Sequence, residues 1–130
     1  MHYEKWIPKP TPLHIIYDLV SLIDDYDGLS ITLSDGANNH YKITWSGKVE
    51  SYFCNSEEAR LDFISTTYKS LKEQFGDWSF YKVRQSEYVN WVSKSSCNLI
   101  SETRLEHYLI VTKNNLVEVV TYTDPEVISF

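Results

Sequence analysis

Few side chains in this 130-residue chain fall at spacings that support chemistry. The nearest approach to a nucleophile pair is His40 with Cys54. If 40–45 and 49–54 form a hairpin, hydrophobic matching sets Trp45 opposite Val49, Ile43 opposite Ser51 and Tyr41 opposite Phe53. That register brings His40 and Cys54 onto one face, where an imidazole beside a thiol could generate a thiolate. No acid is placed to orient the histidine and no oxyanion donor can be assigned, so the pair is expected to be incidental and no residue is given a catalytic role. His107 adjoins Glu106, but adjacent side chains of a strand point to opposite faces. A hydrogen-bonded core or boundary histidine is therefore expected there rather than a metal ligand. His14 reads as a boundary residue and His2 as part of a mobile end. Phosphate-cradling glycine motifs, paired-cysteine or HExxH metal motifs and the GxSxG elbow are absent from the sequence, so no metal or other cofactor is expected.

What the chain does have is charge and aromatic surface. Twelve Lys and Arg stand against eighteen Asp and Glu, a formal net charge of −6. Between Lys9 and Lys42 there is no cation, whereas Asp18, Asp24, Asp25, Asp27 and Asp35 all fall in that window. Such a surface disfavours phosphate backbones, so nucleic acid is not an expected partner. It suits a basic protein better, although solubility alone also accounts for an acidic surface. Four Trp and ten Tyr are unusually many; those on inward faces are expected in the core, and without accompanying cations the others fit a protein interface better than base stacking. Tyr26, set between Asp25 and Asp27, combines an aromatic anchor with carboxylates. Asp24, Asp25, Tyr26, Asp27 and Asp35 are the candidate partner-binding residues.

The elements that position these residues follow from periodicity. The length and composition predict one domain over residues 1–130 with a core of its own. No apolar run is long enough for a membrane span, no signal peptide is expected at the start, and two cysteines make no disulfide framework, so a cytoplasmic setting is expected. The best-specified element is a helix from Asn55 to Gly76, with Leu61, Ile64, Tyr68, Leu71 and Phe75 on one face. Asn55 and Glu58 suit a capping box, and Gly76 suits the left-handed stop. A first helix is predicted over about 12–26 from Leu13, Ile16, Leu19, Val20 and Ile23, after an extended, proline-rich lead-in. Strands are predicted at 30–34, 40–45, 49–54 and 78–84, a short helix capped by Ser86, and a terminal hairpin from 105–112 and 116–122. Both faces of 105–112 are apolar, which predicts a central, covered strand. The order α-β-β-β-α-β-α-β-β predicts an α+β fold, an antiparallel sheet of about six strands with helices packed mainly on one face.

Asp24-Asp25-Tyr26-Asp27, the acid-only window around it, and the segment from Phe80-Tyr81-Lys82-Val83 to Ser86-Glu87-Tyr88-Val89-Asn90-Trp91 carry a resemblance of type. In these the chain resembles the small acidic immunity proteins of bacterial contact-dependent inhibition and polymorphic toxin systems. The resemblance implies a non-catalytic cytoplasmic protein that occludes the active site of a cognate toxin, often a basic nuclease. An interaction or small-ligand-sensing module is the alternative, and a small enzyme the third class.

Overall fold

The computed structural model describes residues 1–11 and 15–130. Its strands are β1 (His2–Lys5), β2 (Asp18–Asp25), β3 (Gly28–Ser34), β4 (His40–Ser46), β5 (Ser51–Ser56), β6 (Phe80–Arg84), β7 (Glu106–Val111), β8 (Asn115–Thr121) and β9 (Glu126–Ser129). They form two antiparallel sheets, one ordered β1-β6-β7-β8-β5 and the other β2-β3-β4-β9. This corrects the predicted single six-stranded sheet with helices on one face: the chain is mostly β, and a second sheet covers one side of the first.

Alternation within the strands decides that layering. In β3 and β4, Leu29, Ile31, Leu33, Tyr41, Ile43 and Trp45 point inward and are buried, while Ser30, Thr32, Lys42 and Thr44 take the other face. The inward side chains meet Phe80, Tyr108, Ile110, Val117 and Val119 of the five-stranded sheet. Fully burying an aliphatic side chain of this kind contributes about 1.5–3 kcal/mol, so this inter-sheet layer is the main source of cohesion. The opposite face of the five-stranded sheet is also apolar. Tyr81, Val83, Leu109, Val111 and Leu116 pack under the helical segment 58–75. The strand β7, apolar on both faces as its sequence predicts, sits at the centre of the five.

Gly28 opens β3 with φ +132°, and a Cβ there would lie 2.2 Å from the Trp45 carbonyl oxygen. Only glycine lets β3 approach β4 at that corner.

Three local expectations are corrected. The predicted first helix is the strand β2 in its described part; residues 12–14, including His14, lie outside the described residues. The cause is a bulge between Leu19 and Ser21. It lets Leu19 and Leu22, three residues apart, both reach the core, while Val20 and Ile23 stay exposed. A bulged strand thereby imitates the spacing of a helix face. The long helix begins later than Asn55, which pairs with Leu116 in β5, and no Asn55 capping box forms. The segment is composite: a 3-10 turn (Glu58–Arg60), an α turn (Leu61–Phe63), a π-helical stretch (Ile64–Tyr68) and an α-helical end (Lys69–Phe75) stopped at Gly76, φ +72°. The wide turn shifts the apolar stripe, so Phe63 and Leu71 are buried whereas Leu61 is exposed. Finally, β4 and β5 belong to different sheets, so the Trp45–Val49 hairpin register does not form.

A cavity over a buried ion network

The floor of the candidate site is set by β7 and β8. His107 stands opposite Val120 and Glu118 opposite Leu109, so His107 and Glu118 are diagonal neighbours on the helix-side face. His107 Nε2 lies 3.2 Å from Glu118 Oε1. Arg60, at the end of the 3-10 turn, donates from Nη1 to Glu118 Oε2 at 2.7 Å. Both carboxylate oxygens are therefore occupied, and the Glu118 side chain is only 12% exposed. Burial by itself would push the Glu118 carboxyl up, but the hydrogen bond and charge of His107, with those of Arg60, outweigh it and hold the group below the ordinary carboxylate range.

On its other ring nitrogen, His107 Nδ1 lies 2.7 Å from Ser86 Oγ. Ser86 is the N-cap of the helix Glu87–Ser95, and its Oγ accepts from Val89 N–H at 3.0 Å. Ser86, His107 and Glu118 are thus linked in the manner of a nucleophile, base and acid. The serine is unsuited to attack: it is buried, its oxygen is engaged in the cap, and it borders a separate shallow depression rather than the cavity. The chain of bonds instead fixes the histidine ring and ties the capped helix to the sheet.

Above this floor is an open cavity of about 860 Å³. Two helical segments wall it, with Phe53 of β5 and Tyr3 of β1 at the sides. Phe53 and Tyr88 stack at 4.8 Å between centroids, Trp91 adjoins both at 6.4 and 6.1 Å, and Tyr88 meets the His107 ring edge-on at 5.3 Å. Trp91 is 56% exposed, although the other tryptophans are largely enclosed. On the far wall Phe63 lies under the Arg60 guanidinium at 5.4 Å. Ser65, Thr66 and Thr67, all within the π-helical stretch, complete that side. Hydroxyl and β-branched residues hold an α-helix poorly, and Thr66 Oγ1 donates to the Asp62 carbonyl at 2.7 Å, satisfying a backbone group near the widened turn. Such widened turns recur at functional sites. The Tyr88 hydroxyl is pushed up to about 12, first by burial, with Glu118 adding to it against the hydrogen bond to Ser51. Tyr3 is raised for the same leading reason, and Glu118 and Glu87 raise it further against Arg60.

The residues singled out from sequence lie elsewhere. Asp24, Asp25, Tyr26 and Asp27 sit together at the tip of the β2–β3 hairpin, with Tyr26 fully exposed and Asp25 Oδ1 accepting from the Asp27 N–H at 2.9 Å. Burial first, and then the charge of Asp24, push the Tyr52 hydroxyl up. Asp35 is not part of this group. It lies at the opposite end of the seven-residue β3, about 20 Å away at strand rise, where Asn39 and the turn amides hold its carboxyl low. Asp18 lies at that same end and contacts Lys113 Nζ at 3.6 Å. Among the described residues, none of Asp24, Asp25, Asp27 and Asp35 forms an ion pair with a Lys or Arg. His40 and Cys54 stand on different sheets; the His40 ring adjoins Phe130, and partial burial pushes the Cys54 thiol up. Glu106 faces away from its neighbour His107 and pairs with Arg84 at 2.7 Å. Among the described residues no three His, Cys, Asp or Glu side chains converge as a metal site, and no helix is long and apolar enough to cross a membrane.

Sequence reasoning singled out neither Phe53, Arg60 nor Glu118 as functional. One signal was available: Glu118 is a lone carboxylate within the apolar run Leu116-Val117-Glu118-Val119-Val120, and a charge in a covered strand needs a partner. Compared with family models, with curated proteins and with solved structures, the chain finds no match.

Proposed function

We propose that this protein acts by binding rather than by turnover, and that its principal site is the aromatic cavity on the helix side of the five-stranded sheet. The observation that carries this reading is the combination of a concave, aromatic-walled space of about 860 Å³ with a buried, fully paired Arg60–Glu118–His107 floor. Small-molecule sites have this size and make-up: apolar walls give affinity, and a few fixed polar groups give orientation. Trp91 provides the readout, because it is the most exposed of the tryptophans and lines the site. A ligand seated there shifts Trp91 emission and the amide resonances of Phe53, Tyr88 and His107. Thr66→Trp, which fills the space from the helix wall, abolishes those shifts. The reading fails if a broad fragment screen at millimolar concentration moves none of these signals, or moves them equally in Thr66→Trp.

A second reading rests on a different surface. Tyr26 is fully exposed at a hairpin tip and flanked by carboxylates that no lysine or arginine among the described residues pairs with. That supports a protein–protein role with a basic partner, and with it the immunity-type activity, neutralising a cognate toxin by occluding its active site. In that case Asp25→Lys with Tyr26→Ala weakens a stoichiometric complex with the toxin domain by several kcal/mol, as hot-spot anchors do, about a hundredfold or more in Kd. Affinity within threefold of wild type, with the fold intact, removes the hairpin tip from the interface.

A further inference from the structure

Resting on the cavity reading, we infer that the ligand is a small organic cation, a substituted ammonium carried on an apolar or aromatic body. Four features of the cavity support this. Its walls are lined by four aromatic rings, Phe53, Phe63, Tyr88 and Trp91, one of which, Phe63, already holds a guanidinium over its face at 5.4 Å, and ring faces attract cations. The charged groups of its lining residues are three carboxylates, Asp62, Glu87 and Glu118, against the Arg60 guanidinium and the α-ammonium of Met1. That guanidinium is already committed, with Nη1 at 2.7 Å from Glu118 and Nε at 3.9 Å from Asp62. An anionic ligand would share Arg60 with Glu118 and would meet the carboxylates of Asp62 and Glu87. A cation meets no such competition, since Glu87 is exposed and without an ion-pair partner among the described residues.

The cavity also separates this ligand from a bare metal ion. Aromatic faces and single, dispersed carboxylates do not replace a hydration shell, whereas they suit a weakly hydrated ammonium with methyl or methylene groups on the nitrogen. A flat or branched body of roughly ten heavy atoms enters a space of this size and fills only part of it.

The test uses the full chain and three probes: phenyltrimethylammonium, its neutral isostere tert-butylbenzene, and phenylacetate. Trp91 emission and the His107 and Tyr88 resonances report occupancy. The cation is expected to bind at least roughly tenfold more tightly than its isostere, and phenylacetate more weakly than either. Asp62→Asn and Glu87→Gln, both on exposed side chains, are expected to lower the cation's affinity together by about that factor and to leave the isostere unchanged. Equal binding of cation and isostere, a preference for phenylacetate, or no effect of the two substitutions overturns the charge assignment and leaves the cavity reading standing. If none of the three binds while other fragments do, the assignment is overturned as well. If nothing binds at all, the cavity reading itself fails.

Discussion

Glu118→Gln isolates the charge at the centre of the site with almost no change of shape. In the wild type, Oε2 accepts from Arg60 and Oε1 accepts from His107, at 2.7 and 3.2 Å. An amide can present only one acceptor oxygen, so one donor must face an NH₂ group. His107 is 3% exposed and cannot turn to water, whereas the Arg60 side chain is 27% exposed and can. The carbonyl of the new amide should therefore keep His107, and Arg60 should lose its charge-assisted bond. Such a bond contributes about 1.5–3 kcal/mol, and discounting for the exposed side of Arg60 leaves about 2 kcal/mol. For a domain of this length that is about 8 °C in Tm. Urea rather than guanidinium unfolding is the suitable assay, because a salt would screen the pair. The pH dependence gives a second, independent check. The folded Glu118 carboxyl is held low, so its stabilisation is present above the unfolded value of about 4.3 and is lost as pH falls through the folded value. The gap between wild type and Glu118→Gln should be full at pH 7 and close below about pH 4. A gap under about 0.5 kcal/mol at pH 7, or one that fails to close once the pH has fallen well below the carboxylate range, refutes the reasoning about the floor.

Ser86→Ala removes the helix cap and strands His107 Nδ1 in a buried site, so a loss of about 2–3 kcal/mol by urea unfolding is expected, and a loss under about 1 kcal/mol would show that neither bond matters. Gly28→Ala drives a methyl group into the Trp45 carbonyl oxygen at a φ of +132°, which should cost at least about 2 kcal/mol; a neutral result would mean the corner has room to move. Trp45→Phe gives up apolar volume but also removes a buried indole N–H that has no hydrogen-bond partner among the described residues. Thermal unfolding should therefore place it within about 1 kcal/mol of wild type, far from the roughly 3–5 kcal/mol typical of truncating an aromatic to Ala; a loss in that larger range would show that the indole's volume outweighs its stranded donor.

How legible the fold was depended on how regular each element is. Where alternation is uninterrupted, as in Ile31 with Leu33 and in Tyr41, Ile43 and Trp45, sequence and structure agree on strand and on inward face. The cap at Ser86 and the stop at Gly76 were equally visible, because each is a local bond or backbone angle that a single residue dictates. Two irregularities misled. A bulge in β2 gave Leu19 and Leu22 a helix-like spacing, and a π-helical stretch moved the buried stripe of 58–75 from Leu61 to Phe63. Neither is encoded by periodicity, which assumes one residue per step throughout.

The division into two sheets was not legible for a different reason. Pairing of β1 with β6, of β5 with β8 and of β4 with β9 joins residues far apart in sequence, and only the apolar count on each face hints at it. The cavity shares that origin. Tyr3, Phe53, Arg60, Tyr88, His107 and Glu118 come from six separate elements, and no spacing in the chain records their meeting. What the sequence did carry was the local anomaly at its centre, one carboxylate in an otherwise apolar strand. A charge in that position either finds a cation and a donor or shifts to its neutral form. Here it found Arg60 and His107, and in doing so it fixed the floor on which the aromatic walls stand.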